Sequence, residues 1–169
     1  MTAQAYWMEG PWRGRLAILP RPRGGDWLED EIFDWHWYDI DMVVSLLTPD
    51  EIAEFDLQDE KEVCEAYGIE FVSFPIPDRG VPASRRSATD LVHKLDRALS
   101  DGKKIALHCR QGVGRSALVA ACLLVASGAE PHRAFESISA ARGCSVPDTP
   151  EQEQWVADYA PELALHPAR

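Results

Sequence analysis

His108-Cys109-Arg110-Gln111-Gly112-Val113-Gly114-Arg115-Ser116 follows directly on the apolar run Ile105-Ala106-Leu107. A β-type run entering from Lys103 delivers Cys109 to the end of a strand, and the apolar residues 117–126 leave Ser116 as a helix. This junction decides the fold, because a short loop between a strand and a helix can turn successive backbone N–H groups inward around one anion. Gly112 and Gly114 let that backbone curl. The N–H groups and the positive end of the helix favour a thiolate at Cys109 over a thiol. Arg115 adds a planar fork of donors that can hold two phosphoryl oxygens and tighten as charge spreads in a transition state. Ser116 can donate to the sulfur as it leaves. The stretch reads as a nucleophile in a phosphate cradle made of Arg110, Gln111, Gly112, Val113, Gly114 and Arg115.

Working outward, β-type runs recur at residues 15–19, 42–47, 70–76 and 103–108, separated by helical patterns. Residues 26–38 follow a Gly24-Gly25 turn with Asp26 as N-cap. Thr48-Pro49-Asp50-Glu51 caps a helix expected to run toward Tyr67-Gly68, and residues 87–99 form a further amphipathic helix. Residues 117–126 are apolar nearly all round, the pattern of a central buried helix. Helices over 131–142 and 150–159 complete the chain. Strands alternating with helices predict parallel pairing and an α/β domain. Five of the tryptophans fall in residues 1–40, which are expected to pack as a cap over the sheet edge, with a substrate-facing wall as the sharper alternative. Residues 167–169 are expected to fray.

Chemistry through a cysteine nucleophile needs a proton donor for the departing oxygen. Asp78 fits best, in Ile76-Pro77-Asp78-Arg79-Gly80-Val81-Pro82, a stiff but hinged loop after a β-type run. Asp148 also follows a proline but reads as a cap or turn residue for the last helix. Arg79, Arg85, Arg86, Arg110 and Arg115 fall in the two segments that would frame the pocket.

At 169 residues and 46% hydrophobic, the chain suits one domain spanning 1–169, with residues 41–160 as its catalytic core. The formal charge of −11, from 17 Lys+Arg against 28 Asp+Glu, argues against nucleic acid and an anionic membrane surface as partners. No run of about 18 apolar residues and no secretory leader pattern occur, so a cytoplasmic, monomeric protein is expected. Cys64, Cys109, Cys122 and Cys144 show neither disulfide nor zinc spacing, although Cys144 sits in a loop able to approach Cys109 and protect it.

The loop resembles the His-Cys-x5-Arg-Ser/Thr signature of the cysteine-dependent protein tyrosine phosphatase superfamily, with every fixed position filled. The chain as a whole resembles the small, atypical dual-specificity phosphatases over roughly residues 40–160. The resemblance implies a central, mostly parallel sheet flanked by helices, no metal or other cofactor, and a phosphorylated protein substrate. It implies that the Asp78 loop is the mobile acid loop, although Ile76 stands where tyrosine-specific enzymes carry tryptophan. It further implies that His108 orders the cysteine loop, and that Gln152, or alternatively Gln154, positions the hydrolytic water. The expected activity is hydrolysis of phosphotyrosine, with phosphoserine and phosphothreonine also in view, through a phosphocysteine. Alternatives are a phosphoinositide or RNA 5′-phosphatase using the same loop, a non-catalytic phosphoprotein-binding module, a rhodanese-type sulfur-transfer loop, and a merely structural cysteine. Gln111 and Val113 are neutral where enzymes acting on polyphosphorylated ligands often place lysine.

Overall fold

The structure, a computed structural model, describes residues 4–165; the tail at 167–169 and the first residues of the N-terminus lie outside the described residues. Five strands, β1 (Tyr6–Met8), β2 (Arg15–Leu19), β3 (Met42–Ser45), β4 (Glu70–Ser73) and β5 (Lys104–His108), form one sheet in the order β1-β2-β5-β3-β4. All neighbours pair in parallel except β1, which runs antiparallel to β2 with Trp7 opposite Ala17. The mostly parallel sheet expected from the alternating pattern is present. β1 is a short edge strand that the sequence did not announce, since three residues are too few to show an alternating period.

The period of two along each inner strand sorts side chains into two cores. Leu16, Ile18, Met42, Val44, Ile105 and Leu107 face one layer of helices, namely α4 (Arg85–Ser100), α5 (Arg115–Ala126), α6 (Pro131–Arg142) and α7 (Pro150–Leu165). Leu19, Val43 and Ala106 face the other, where α1 (Leu28–Trp37) and α3 (Glu60–Ala66) supply Leu28, Ile32, Trp35 and Cys64. α5 is buried along eleven of its twelve residues, the central position that its all-round apolar sequence implies.

β3 and β4 end sooner than residues 47 and 76, α4 starts earlier than residue 87, and three helix boundaries differ for identifiable reasons. Asp26 does not cap α1; a 3-10 turn over Gly25–Trp27 leads in, and its first glycine takes φ 60° while donating to the Asp56 carbonyl. The helix opened by Thr48 stops after α2 (Pro49–Glu54), because Asp56 adopts φ 55° and turns Leu57 into the second core before α3 begins. Aspartate tolerates that left-handed conformation better than most residues. The last helix continues past Tyr159 and carries Pro161 within it.

The N-terminal tryptophans divide between core and surface. Trp35 and Trp12 are buried, Trp7 lies in β1, and Trp27 and Trp37 are 56% and 76% exposed. None of the five lines the cleft described next.

Candidate active site

The carboxyl ends of all four parallel strands share one edge of the sheet, the edge at which open α/β sheets bind ligands. A cleft of about 230 Å³ opens there, lined by Asp78, Arg79, Cys109, Arg110, Gln111, Val113, Gly114, Arg115 and Asp148. Cys109 follows β5 directly and is buried, and Arg115 opens α5 with a side chain only 1% exposed. The sequence-predicted nucleophile, guanidinium and acid therefore meet in one place.

Two glycines shape the loop. Gly112 takes φ 73°, and a Cβ there would stand 2.9 Å from Ile18 Cγ2. At Gly114 a Cβ would come within 2.6 Å of Asp148 Oδ2 and 2.9 Å of Gln152 Oε1, so a larger residue would have to displace those two side chains from the loop. Behind the loop, Arg142 at the end of α6 donates to the Gly112 carbonyl at 3.0 Å and the Gln111 carbonyl at 2.9 Å. Holding those carbonyls on the outside helps to turn the loop's N–H groups toward the cleft. Arg142 in turn rests on the Tyr6 ring of β1, 4.1 Å away.

Arg115 is held by a carboxylate that the sequence reading used only as a helix cap. Glu51 forms a two-point pair with it, Nη1–Oε1 at 2.7 Å and Nη2–Oε2 at 2.9 Å, while Nη1 also donates to the Ile76 carbonyl at 2.9 Å. The same Oε1 accepts the Thr48 backbone N–H, closing a capping box at the start of α2. Burial works to raise the Glu51 pKa, but the Arg115 hydrogen bond and the Thr48 donors bring it below its ordinary value. Burial likewise works to lower the Arg115 pKa and is outweighed by Glu51, the Cys109 charge and Asp78, so the guanidinium stays charged. The readable signal was a capping-box glutamate placed just beyond a parallel strand.

Asp78 reaches the guanidinium from the other side, its Oδ1 3.1 Å from Arg115 Nη2. Its loop makes a tight turn closed by Gly80 N–H to the Pro77 carbonyl at 2.8 Å, with Arg79 at φ 61°. Gln152 fastens the turn: its Nε2 donates to the Gly80 carbonyl at 3.0 Å, and its Oε1 accepts the N–H groups of Asp148 and Thr149. Gln154 is exposed and bonds Asp158 on its own helix, away from the cleft.

Asp148 lies in the turn before α7, as its sequence context suggests, and also in the cleft wall beside Gly114. The arginines also divide. Arg79, Arg110 and Arg115 line the cleft, whereas Arg85 pairs with Glu162 and Arg86 lies in the separate hollow around Thr89 and His93.

His108 is fully buried beneath the loop, with Nε2 2.5 Å from Glu60 Oε2 of α3, a partner the sequence did not indicate. Its Nδ1 and the Ser116 hydroxyl are buried without a hydrogen-bond partner among the described residues. All four cysteines are free. Burial pushes the Cys122 thiol up to about 12, and burial with the Glu60 and Glu65 charges raises that of Cys64, whereas Cys144 is exposed and not paired with Cys109. Among the described residues no cluster of three or more His, Cys, Asp or Glu is placed to hold a metal ion, and no helix is long and apolar enough to cross a membrane.

The sequence model of the family described as Cyclin-dependent kinase inhibitor 3 (CDKN3) matches residues 28–134. The protein of that name from Sus scrofa is 31% identical over 121 residues, covering 70% of this chain and 57% of its own length. The one from Homo sapiens is 30% identical with the same coverage. The chain thus spans little more than half the length of these relatives. Among solved structures, a kinase associated phosphatase with its catalytic-site cysteine replaced by serine superposes with a TM-score of 0.88 at 21% identity, covering 98% of both chains. The active form of Tk-PTP superposes with a TM-score of 0.77 at 26% identity, covering 93% of this chain and 96% of that one.

Proposed function

The chain belongs to the cyclin-dependent kinase inhibitor 3 family, within the cysteine-dependent protein tyrosine phosphatase superfamily, and on that premise we propose that it is a phosphoprotein phosphatase. The substrate is a phosphorylated protein, with phosphotyrosine first and phosphoserine or phosphothreonine in range. A relative named for its association with a kinase supports a protein substrate over a lipid or RNA one, as do the neutral Gln111 and Val113. Residues 1–169 act as one domain, a monomer working in the cytoplasm, where a free thiolate survives.

The observation that carries this reading is the convergence of Cys109, Arg115 and Asp78 on one cleft of about 230 Å³. In the first step the Cys109 sulfur attacks phosphorus in line, the P–S bond forming as the P–O bond to the substrate breaks. Asp78 gives its proton to the departing oxygen. Arg115 and the N–H groups of residues 110–115 hold the equatorial oxygens, with a phosphoryl oxygen taking the place of Asp78 on Nη2 while Glu51 keeps the guanidinium fixed. In the second step Asp78 takes a proton from water as it attacks phosphorus, and the sulfur departs with a hydrogen bond from the Ser116 hydroxyl. That hydroxyl is buried with no other partner among the described residues, an arrangement that otherwise costs about 1–3 kcal/mol. Gln152 orients the water once its bond to the Gly80 carbonyl is released.

The test is hydrolysis of an aryl phosphate with and without a chelator. Turnover insensitive to chelation and abolished in Cys109→Ser, which should still bind phosphate, is the expected result. Turnover in Cys109→Ser within about tenfold of wild type would overturn it, because losing a nucleophile removes many orders of magnitude.

A further inference from the structure

Each parallel strand delivers a charged group to the ligand-binding edge: β3 leads to Glu51, β4 to Asp78, and β5 to Cys109 and the loop. β2 leads to Arg21, which the mechanism does not use. Its guanidinium carbon lies 3.7 Å from the centre of the Phe55 ring, and that of Arg110 from the cysteine loop lies 4.8 Å from the same centre. Two guanidinium groups thus share one half-buried aromatic ring at the rim of the cleft.

A cation resting on an aromatic ring is stable alone, but a second one brings like-charge repulsion. Glu54 offsets only part of that repulsion, and it does so unevenly, since its ion pair is with Arg110. Arg21 donates to the Pro22 carbonyl and has no ion pair with a carboxylate among the described residues. Arg110 has only long contacts, 3.4 Å to Glu54, 3.8 Å to Glu51 and 3.9 Å to Asp78, and Glu51 is already committed to Arg115. Partial burial and then the Arg110 charge hold the Arg21 pKa below its ordinary value, with Glu54 opposing. Arg21 is thus a cation beside the pocket with no carboxylate of its own among the described residues, in a chain of formal charge −11.

We propose that Arg21 and Arg110, seated on Phe55, form a specificity subsite that receives the carboxylate of an acidic residue flanking the phosphorylated residue of a peptide substrate. The subsite rests on the phosphatase reading above. An acidic flank fits because it would place one anion between the two guanidinium groups while its neighbour's phosphoryl group enters the cradle.

The experiment compares three substrates: a small aryl phosphate, a phosphopeptide with acidic flanks and the same phosphopeptide with the acids changed to amides. Wild type should prefer the acidic peptide, and the preference should fade as salt rises. Arg21→Gln should lower kcat/KM for the acidic peptide about fivefold through KM, and Arg21→Glu about twentyfold, the order expected for a rim ion pair lost and then reversed. Arg21→Lys should restore most of it. Turnover of the aryl phosphate and of the amide peptide should stay within about twofold of wild type, because Arg21 touches no reacting group. An equal preference for both peptides in wild type and Arg21→Glu overturns the subsite while leaving the phosphatase intact. Loss confined to vesicles carrying a phosphoinositide reassigns the anion to a lipid headgroup and also overturns it. Failure of wild type to hydrolyse the aryl phosphate removes the parent reading.

Discussion

Two carboxylates reach the Arg115 guanidinium, and they are held in opposite ways. Glu51 sits on α2 with its side chain 7% exposed, paired at two points and tied to the Thr48 cap. Asp78 sits in a loop with its side chain 46% exposed and meets the guanidinium at one. A buried charge pair held at two points resists exchange, whereas a half-exposed single contact gives way to a competing anion. Glu51 is therefore the mount of the arginine and Asp78 its exchangeable neighbour, which suits Asp78 to the proton transfer proposed for it.

The sharpest way to break this division is Asp78→Asn. Its kcat/KM for a phosphotyrosyl peptide should fall on the order of 10²–10⁴, with a much smaller loss for an ester whose leaving phenol is strongly acidic. Its melting temperature should match wild type. Equal losses on both substrates would mean that Asp78 belongs to the mount.

Glu51→Gln should show the reverse signature, a stability loss of about 3 kcal/mol by denaturant titration with activity reduced alike on good and poor leaving groups. The pH dependence follows from the lowered Glu51 pKa. Its contribution is fully present above the unfolded glutamate value of about 4.3 and is lost as pH falls through the lower folded value. Wild type should lose midpoint stability in that acid window, and Glu51→Gln should lose less. Matching slopes would remove Glu51 from the acid response. The smallest effect belongs to Asp148→Asn, expected within about tenfold of wild type with no leaving-group dependence, because the proposed donor is Asp78. A leaving-group dependence there would exchange the roles of the two aspartates.

What the sequence made legible was local. The loop from His108 to Ser116, the Asp78 loop and the Pro131 helix each declare themselves through contiguous residues, and all are found where expected. Glu51, Glu60 and Arg142 were opaque because each acts across the sheet or between helices, on partners 30 or more positions away. Asp56 was opaque for a different reason: its left-handed turn is imposed by burying Leu57, a tertiary gain that overrides the helical pattern around it. The turn at Asp148 was legible, but its place in the cleft wall was not, because contact with Gly114 is made between segments more than 30 positions apart.

The four thiols differ enough to be counted chemically. Cys64 and Cys122 are buried with their ionisation suppressed, and Cys144 is exposed. An alkylating reagent applied to the native protein near neutral pH therefore meets Cys144 and the cleft sulfur of Cys109, and the other two only after unfolding. Replacing Cys144 by serine should turn covalent labelling into a single-hit measure of access to Cys109, expected to be protected by any anion that fills the cleft.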